Sequence, residues 1–325
     1  MDVSERTYIQ NPTEEELMAV RARIPETWTN RETAANTGSK IARKRIKRDL
    51  NKDRSVLVQH TDVQAFTVYT QGSYKNYTNT RESSDLDLIV QLREPWKRDL
   101  SNLTDAEVER YHANTTDADY GYDDGFRDSV AQALRQFYQE SGFKDPVSNS
   151  GKAIELSGRH NPLPIDVDVV AAQEYRVYKS YPENGDPEYI EGMIFKPQMS
   201  DEWWVNFPKK HYDNGGDKHD NYRETVRMFK NARDYYNDNH LVSTSAPSYY
   251  IECLIYNVPD HILKRTDITD RFDETLAWLE SDSRDYDSFD QVSEMEKLFG
   301  NENTQWSKSE AESFVSDMRT LWDEL

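Results

Sequence analysis

Gln71-Gly72-Ser73-Tyr74, followed twelve residues after Ser73 by Asp85-Leu86-Asp87-Leu88-Ile89-Val90, sets the fold of this chain. The second segment alternates acid with aliphatic residue, which is the period of a β-strand. Side chains along a strand point alternately to opposite faces, so Asp85 and Asp87 share one face while Leu86, Leu88 and Val90 share the other. Gly72 and Ser73 form a turn just ahead of this strand. Glycine tolerates backbone conformations that other residues resist, and it lets a ligand approach the backbone closely.

Two carboxylates held side by side repel each other and are costly to bury unless a cation lies between them. Mg²⁺ suits such a pair, because it prefers one or two carboxylates together with the phosphates of a substrate. A turn with free backbone N–H groups and a hydroxyl can hold those phosphates. The combination points to a nucleotide site. Further along, Ile165-Asp166-Val167-Asp168-Val169-Val170 repeats the alternation. Acids inside a β-branched strand need a reason. Three carboxylates on two neighbouring strands can clamp two metal ions, one at the attacking hydroxyl and one at the leaving group.

Outward from these motifs, helical spacing predicts a helix that starts near Thr13-Glu14-Glu15-Glu16 and carries Leu17, Val20 and Ile24, and a second helix from about Arg31 to Leu50. Val63 to Thr70 reads as a strand entering the Gly-Ser turn, and Asp85 to Leu92 as the next. Thr104 to Ala113 and Asp124 to Ser141 read as helices, with Gly142 as a stop. Short strands follow at Lys152 to Ser157 and Ile165 to Ala172. Tyr175 to Tyr181 and Tyr189 to Phe195 read as a hairpin around Pro182-Glu183-Asn184-Gly185-Asp186-Pro187. After Pro197 the pattern turns helical: Asn221 to Asn239, Ser248 to Val258, Thr269 to Glu280 and Ser309 to Trp322. Asp213 to His219 reads as an exposed polar loop without the ligand spacing of a Ca²⁺ site. The expected architecture is α/β (α+β), with a mixed-sheet catalytic lobe over residues 1–198 and a helical, nucleotide-binding lobe over 199–325.

Composition narrows the function. The 325 residues carry a formal charge of −20 and a pI of about 4.8, a field that repels polyanions over most of the surface. Lys40 to Arg54 is the exception, with eight Lys or Arg against two Asp; it reads as the solvated face of a long helix ahead of a nucleic-acid or partner patch. Cys253 is the only cysteine, so no internal disulfide or thiolate metal cluster forms. No apolar run reaches membrane-spanning length, and the first residues lack the apolar core of a signal peptide, so a cytoplasmic protein is expected.

The order Gly-Ser, Asp-x-Asp and a later strand Asp resembles the polymerase β-like nucleotidyltransferase superfamily. Within it, the chain resembles the cGAS/DncV-like nucleotidyltransferases of prokaryotic (CBASS) anti-phage signalling, on Gln71-Gly72-Ser73-Tyr74, Ser84-Asp85-Leu86-Asp87-Leu88 and Val167-Asp168-Val169-Val170. The resemblance implies that Asp85, Asp87 and Asp168 are the catalytic metal ligands for two Mg²⁺ ions, with Mn²⁺ an alternative, and that Gly72 and Ser73 hold nucleotide. It leaves open whether Asp166 rather than Asp168 is the third ligand. It also implies that Lys230, in Arg227-Met228-Phe229-Lys230, contacts the triphosphate, and that in Ser248-Tyr249-Tyr250-Ile251-Glu252 Ser248 holds phosphate while Tyr249 stacks on a base. The implied activity is synthesis of a cyclic di- or trinucleotide messenger from nucleoside triphosphates. The messenger acts on a downstream effector, with an accessory protein as a further partner. A zinc-binding thumb is absent, and duplex nucleic acid is not expected to be an obligatory activator. Ala171 and Ala172 stand where many members of the family carry proline, and the segment after Val258 carries no assigned motif. Two other readings stay open on the residues alone: an RNA-tailing or protein-adenylylating member of the superfamily, and a pseudoenzyme that holds a nucleotide.

Overall fold

The computed structural model describes all residues except 1–23, 32–33, 60–65, 81–84, 117–120, 140–146, 149–150, 158–162, 199 and 283. The predicted helix start at Thr13 to Glu16, with Leu17 and Val20, lies outside the described residues, as do Val63, Ser84, Ser141 and Gly142.

Among the described residues seven strands form one mixed sheet: β1 (Phe66–Thr70), β2 (Leu86–Asp99), β3 (Val147–Ser148), β4 (Ile154–Leu156), β5 (Val167–Ser180), β6 (Glu188–Phe195) and β7 (Trp204–Asn206). The order is β1-β2-β5-β4-β3, and β6 pairs with the far half of β5 and carries β7 on its other edge. The centre, β2 beside β5, is the parallel pair, and the other pairings are antiparallel. A parallel pair is covered on both faces, so its strands are apolar nearly throughout. Leu86, Leu88, Ile89, Val90 and Leu92 of β2 are fully buried, as are Val167, Val169, Ala171 and Ala172 of β5. The two alanines continue β5 without a break. What reads as two strands, Ile165 to Ala172 and Tyr175 to Tyr181, is this single strand.

Two helices flank the sheet. Helix α1 (Ala34–Leu50) buries Ala42, Ile46 and Leu50, four residues apart, and leaves Lys40, Arg43, Lys44, Lys47 and Arg48 in solvent. The basic run is thus the outer face of a packed helix. A short α2 (Val56–Gln59) leads on to β1. After the turn comes α3 (Gly72–Asn76), and beyond β2 lies α4 (Asp105–Asn114), which starts in a capping box between Thr104 and Glu107. Helix α5 (Phe126–Tyr138) lays Phe126, Val130, Leu134 and Tyr138 against the sheet.

The helical lobe contains α6 (Pro208–Asp217), α7 (Tyr222–Asn239), α8 (Ser248–Tyr256), α9 (Asp260–Leu263), α10 (Ile268–Glu280) and α11 (Lys308–Glu324). Most of the segment expected as an exposed loop, Asp213 to His219, is the end of α6. Proline at its first position suits a helix start, and Gly215 is buried because a side chain there would press on Tyr222. Phe229 of α7 stacks on Phe272 of α10 with ring centroids 4.5 Å apart, and Phe314 of α11 closes the other side. Each lobe has its own apolar core. The boundary is crossed from the N-terminal side: Ile24 and Trp28 pack into the helical core, and Asn231 donates to the Trp28 carbonyl at 2.8 Å.

Candidate active site

A cleft of about 400 Å³ opens between the lobes. Its sheet-side wall is set by strand register. Asp87 of β2 pairs directly with Asp168 of β5, and Leu86 with Val167, so the two acids stand side by side on one face. Asp85 immediately precedes β2. Gly72 and Ser73 open α3 above them, and the Gln71 N–H donates to the Asp87 carbonyl at 3.1 Å. Gly72 has φ of +66°, and a Cβ there would lie 1.9 Å from Oδ2 of Asp87. Only glycine lets the turn descend this far onto the carboxylate. The helical wall is supplied by Ser248 and Tyr249 at the start of α8, with Glu252 one turn on and His211 of α6. Asn76 and Asn206 also line the cleft.

The structure therefore brings Gly72, Ser73, Asp85, Asp87, Asp168, Ser248 and Tyr249 to one cavity. Asp166 is exposed just before β5 and is not among its lining residues; its carbonyl accepts from the Leu86 N–H at 3.0 Å. Lys230 is not brought to the cavity either. It is 2% exposed, and its Nζ donates to Oε1 of Glu252 at 2.6 Å and to Thr78 Oγ1 at 3.2 Å. A buried ammonium requires such partners, and they lie between it and the cleft side of α8. In this structure the ammonium of Lys230 is engaged in an ion pair with Glu252. Sequence reading missed His211, Asn206 and the role of Glu252. The last had a signal: a carboxylate between Ile251 and Cys253-Leu254-Ile255 in a helix has to find donors.

The acids are electrostatically strained. Burial, then Asp168, Asp85 and Glu252, push the Asp87 carboxyl up to about 7, against an opposing pull from Lys230. Burial and the neighbours Asp85, Glu155 and Asp166 push Asp168 up to about 6. Asp85 is raised by burial, Asp166 and Glu155. None of the three carboxylates accepts a hydrogen bond or forms an ion pair among the described residues. No three His, Cys, Asp or Glu side chains of the described residues are already closed about one metal-sized point. Hard, unpaired oxygen donors that repel one another fit Mg²⁺, which completes its shell with water and substrate phosphate. Opposite them, the Tyr249 ring lies 5.4 Å from that of His211, and its hydroxyl donates to Gln291 at 2.7 Å. An aromatic face fixed in this way can stack on a base.

The chain is similar to known proteins over most of its length. Residues 212–323 match the family model of the cGAS/DncV-like nucleotidyltransferase C-terminal helical domain, which takes in the segment after Val258. A cyclic UMP-AMP synthase of Rhodothermus marinus is 38% identical over 261 residues, covering 78% of this chain and 84% of the relative. A cyclic nucleotide synthase of Staphylococcus haemolyticus is 28% identical over 313 residues, covering 94% and 100%. The solved structure of the Rhodothermus marinus c-UMP-AMP synthase with Apcpp and Upnpp superposes with a TM-score of 0.76 at 34% identity, over 92% of this chain and 95% of that one. No helix among the described residues is long and apolar enough to cross a membrane.

Proposed function

This chain belongs to the cGAS/DncV-like nucleotidyltransferases, and on that footing we propose that it joins nucleoside triphosphates into a cyclic di- or trinucleotide. The observation that carries this is the direct pairing of Asp87 with Asp168 beneath the Gly72-Ser73 turn, facing Ser248 and Tyr249 across one cleft. Asp85, Asp87 and Asp168 would hold Mg²⁺, which supplies charge stabilisation to the triphosphate and acidifies the attacking hydroxyl. The chain does the rest. Tyr249 stacks on a base, and the Gly72 and Ser73 backbone and the Ser73 and Ser248 hydroxyls orient phosphate oxygens. A ribose hydroxyl oxygen forms a bond to the α-phosphorus as the α–β P–O bond breaks, pyrophosphate leaves with the bonding pair, and the hydroxyl proton passes toward the Asp168 carboxylate. Repetition within the bound intermediate closes the ring. Relatives carry names as different as cyclic UMP-AMP synthase and cyclic dipurine synthase, so the pair of bases is set by each chain's own cleft.

By the same family link the product is a messenger that switches on an effector in anti-phage defence, in the cytoplasm where the triphosphates are, with an accessory protein as a further partner. Purified protein given the four triphosphates and Mg²⁺ should release pyrophosphate and a cyclic nucleotide identifiable by mass spectrometry, and Asp87→Asn should not. Label incorporated only into added RNA or into protein would replace this reading with a tailing or adenylylating one, and no turnover with nucleotide still bound would make the protein a pseudoenzyme.

A further inference from the structure

Glu252 is 3% exposed, yet it touches both lobes. Its Oε1 accepts from Lys230 Nζ of α7 at 2.6 Å and from Thr78 Oγ1 at 2.6 Å. Its Oε2 meets His211 Nε2 of α6 at 2.9 Å and accepts from Asn76 Nδ2 of α3 at 3.1 Å. Two of these partners, Asn76 and Thr78, lie in the sheet lobe at and just beyond the end of the Gly-Ser helix. The Thr78 N–H donates to the Ser73 carbonyl at 3.0 Å, so Thr78 ties Ser73 to Glu252 through one residue. The other two partners lie in the helical lobe. Glu252 sits one helical turn after Ser248 and Tyr249, and its partner His211 packs against the Tyr249 ring.

We propose that Glu252 is a positioning residue for nucleotidyl transfer: it sets the Gly72-Ser73 turn of one lobe against the Ser248-Tyr249 end of the other, and it is for this that Lys230 is buried. The inference rests on the function proposed above and adds a specific part to it. Two alternatives fit less well. A metal ligand needs free oxygen lone pairs, and both Glu252 oxygens already have two partners each. A general base needs a carboxyl poised near neutrality. Burial would raise this one, but Lys230 and His211 outweigh burial and hold it well below the usual carboxylate range, so it stays ionised as a fixed acceptor. A single carboxylate that collects donors from both walls of a cleft determines how those walls align, and alignment is what nucleotidyl transfer needs.

The test is Glu252→Gln, which keeps the shape but turns one acceptor oxygen into a donor facing donors. Either orientation of the amide loses one contact across the cleft and one to Lys230 or His211, while the nucleotide-facing groups Ser73, Ser248 and Tyr249 are unaltered, so the loss should fall on kcat: a fall of about 30- to 100-fold, the scale of a misalignment near 1 Å, with KM for triphosphate changed less than about fivefold. Amide exchange across residues 73–79 should quicken in the same variant with no nucleotide present. Lys230→Met should lower kcat in the same way, and the double variant should be no worse than the poorer single one, because both act through one network. If Glu252→Gln fails to fold, Thr78→Val, which removes one donor at equal volume, should reproduce the kcat fall to a lesser degree. Near wild-type kcat and unchanged exchange in Glu252→Gln, or in Thr78→Val where that is the folded variant, would overturn the proposal. So would a tenfold or larger rise in KM for Lys230→Met that adds to the Glu252→Gln effect, because Lys230 would then touch phosphate itself. Should the wild-type protein form no product, the functional reading falls, and the exchange measurement still decides whether Glu252 ties the walls together.

Discussion

Gly72→Ala should separate the geometry of the turn from the stability of the fold. Two effects follow from adding one methyl group. The backbone at Gly72 has φ of +66°, which for alanine costs about 1–2 kcal/mol. The new Cβ would lie 1.9 Å from Oδ2 of Asp87, where ordinary contact begins at 3.4 Å, so the turn or the carboxylate must retreat by roughly 1.5 Å. The strain should lower the melting temperature by about 1.5–3 °C, given about 1.5 °C per kcal/mol in a chain of this size. The displacement moves Asp87 relative to Asp168, and a shift of 1 Å or more at reacting groups costs about 100-fold in rate. Gly185 supplies the control. Its φ is +104°, it has nothing within 4 Å of an added Cβ, and it lies in the β5–β6 turn away from the cleft. Gly185→Ala should pay a similar strain and keep full turnover. The assay is initial rate of product formation by mass spectrometry beside a calorimetric melt. A Gly72→Ala protein that keeps more than about a tenth of wild-type turnover would refute the claim that turnover depends on the turn resting on Asp87.

Because Asp87 is raised to about 7 and Asp168 to about 6, each contributes stability that is present below the usual carboxylate pKa and lost as pH rises through 6–7. Metal-free protein should therefore lose stability between about pH 4 and 7, by at most about 4 kcal/mol from Asp87, relative to Asp87→Asn, and Mg²⁺ should restore more at the upper end; identical pH curves for the two proteins would be the contrary result. Asp168→Asn should be inactive and Asp166→Asn measurably active, since only the former reaches the cleft; the reverse order of rates would shift the site by one residue pair. Tyr249→Ala should weaken triphosphate binding by about 1–3 kcal/mol through lost stacking, as read from titration calorimetry, whereas Tyr249→Phe, which keeps the ring and loses the hydroxyl's bond to Gln291, should leave binding nearly unchanged and cost about 1 kcal/mol of stability. Reversing Arg43, Lys44 and Lys47 to Glu should leave basal synthesis unchanged, and added duplex should not stimulate the wild type; a salt-sensitive stimulation lost on reversal would make that helix face a sensor.

The acidic face that lines the cleft was legible because alternation survives translation into structure. A period of two in Asp85 to Val90 and in Ile165 to Val170 determines which side chains share a face, whatever the strands pair with. The length of β5 was not legible. Gln173 and Glu174 interrupt its apolar run, yet both are buried: Gln173 donates to the Pro95 carbonyl at 2.7 Å and Glu174 pairs with Arg176 at 2.6 Å. A partner seventy-eight residues back for Gln173 and one two residues on for Glu174 cancelled the local signal. The same holds for α6, where Asp213 to Asp217 has turn composition but is helical, with Gly215 buried against Tyr222 and Val292. It holds also for Lys230, whose helical position was plain while its partner, twenty-two residues on, was not.

The parallel pairing of β2 with β5 has a consequence for how the protein comes into being. Parallel neighbours need a long crossover, and here Asp168 follows Asp87 by eighty-one positions, with Ser248 eighty further on. At about 5–20 residues per second, a ribosome takes several seconds to supply each successive part of the cleft. A nascent chain that has emerged only through β2 holds the Gly-Ser turn and two acids but neither the third acid nor the aromatic wall. Chemistry is thus withheld from every truncated or stalled product shorter than α8. For a protein proposed to issue an alarm, the order of strands in the sheet guards against fragments that could raise it by mistake.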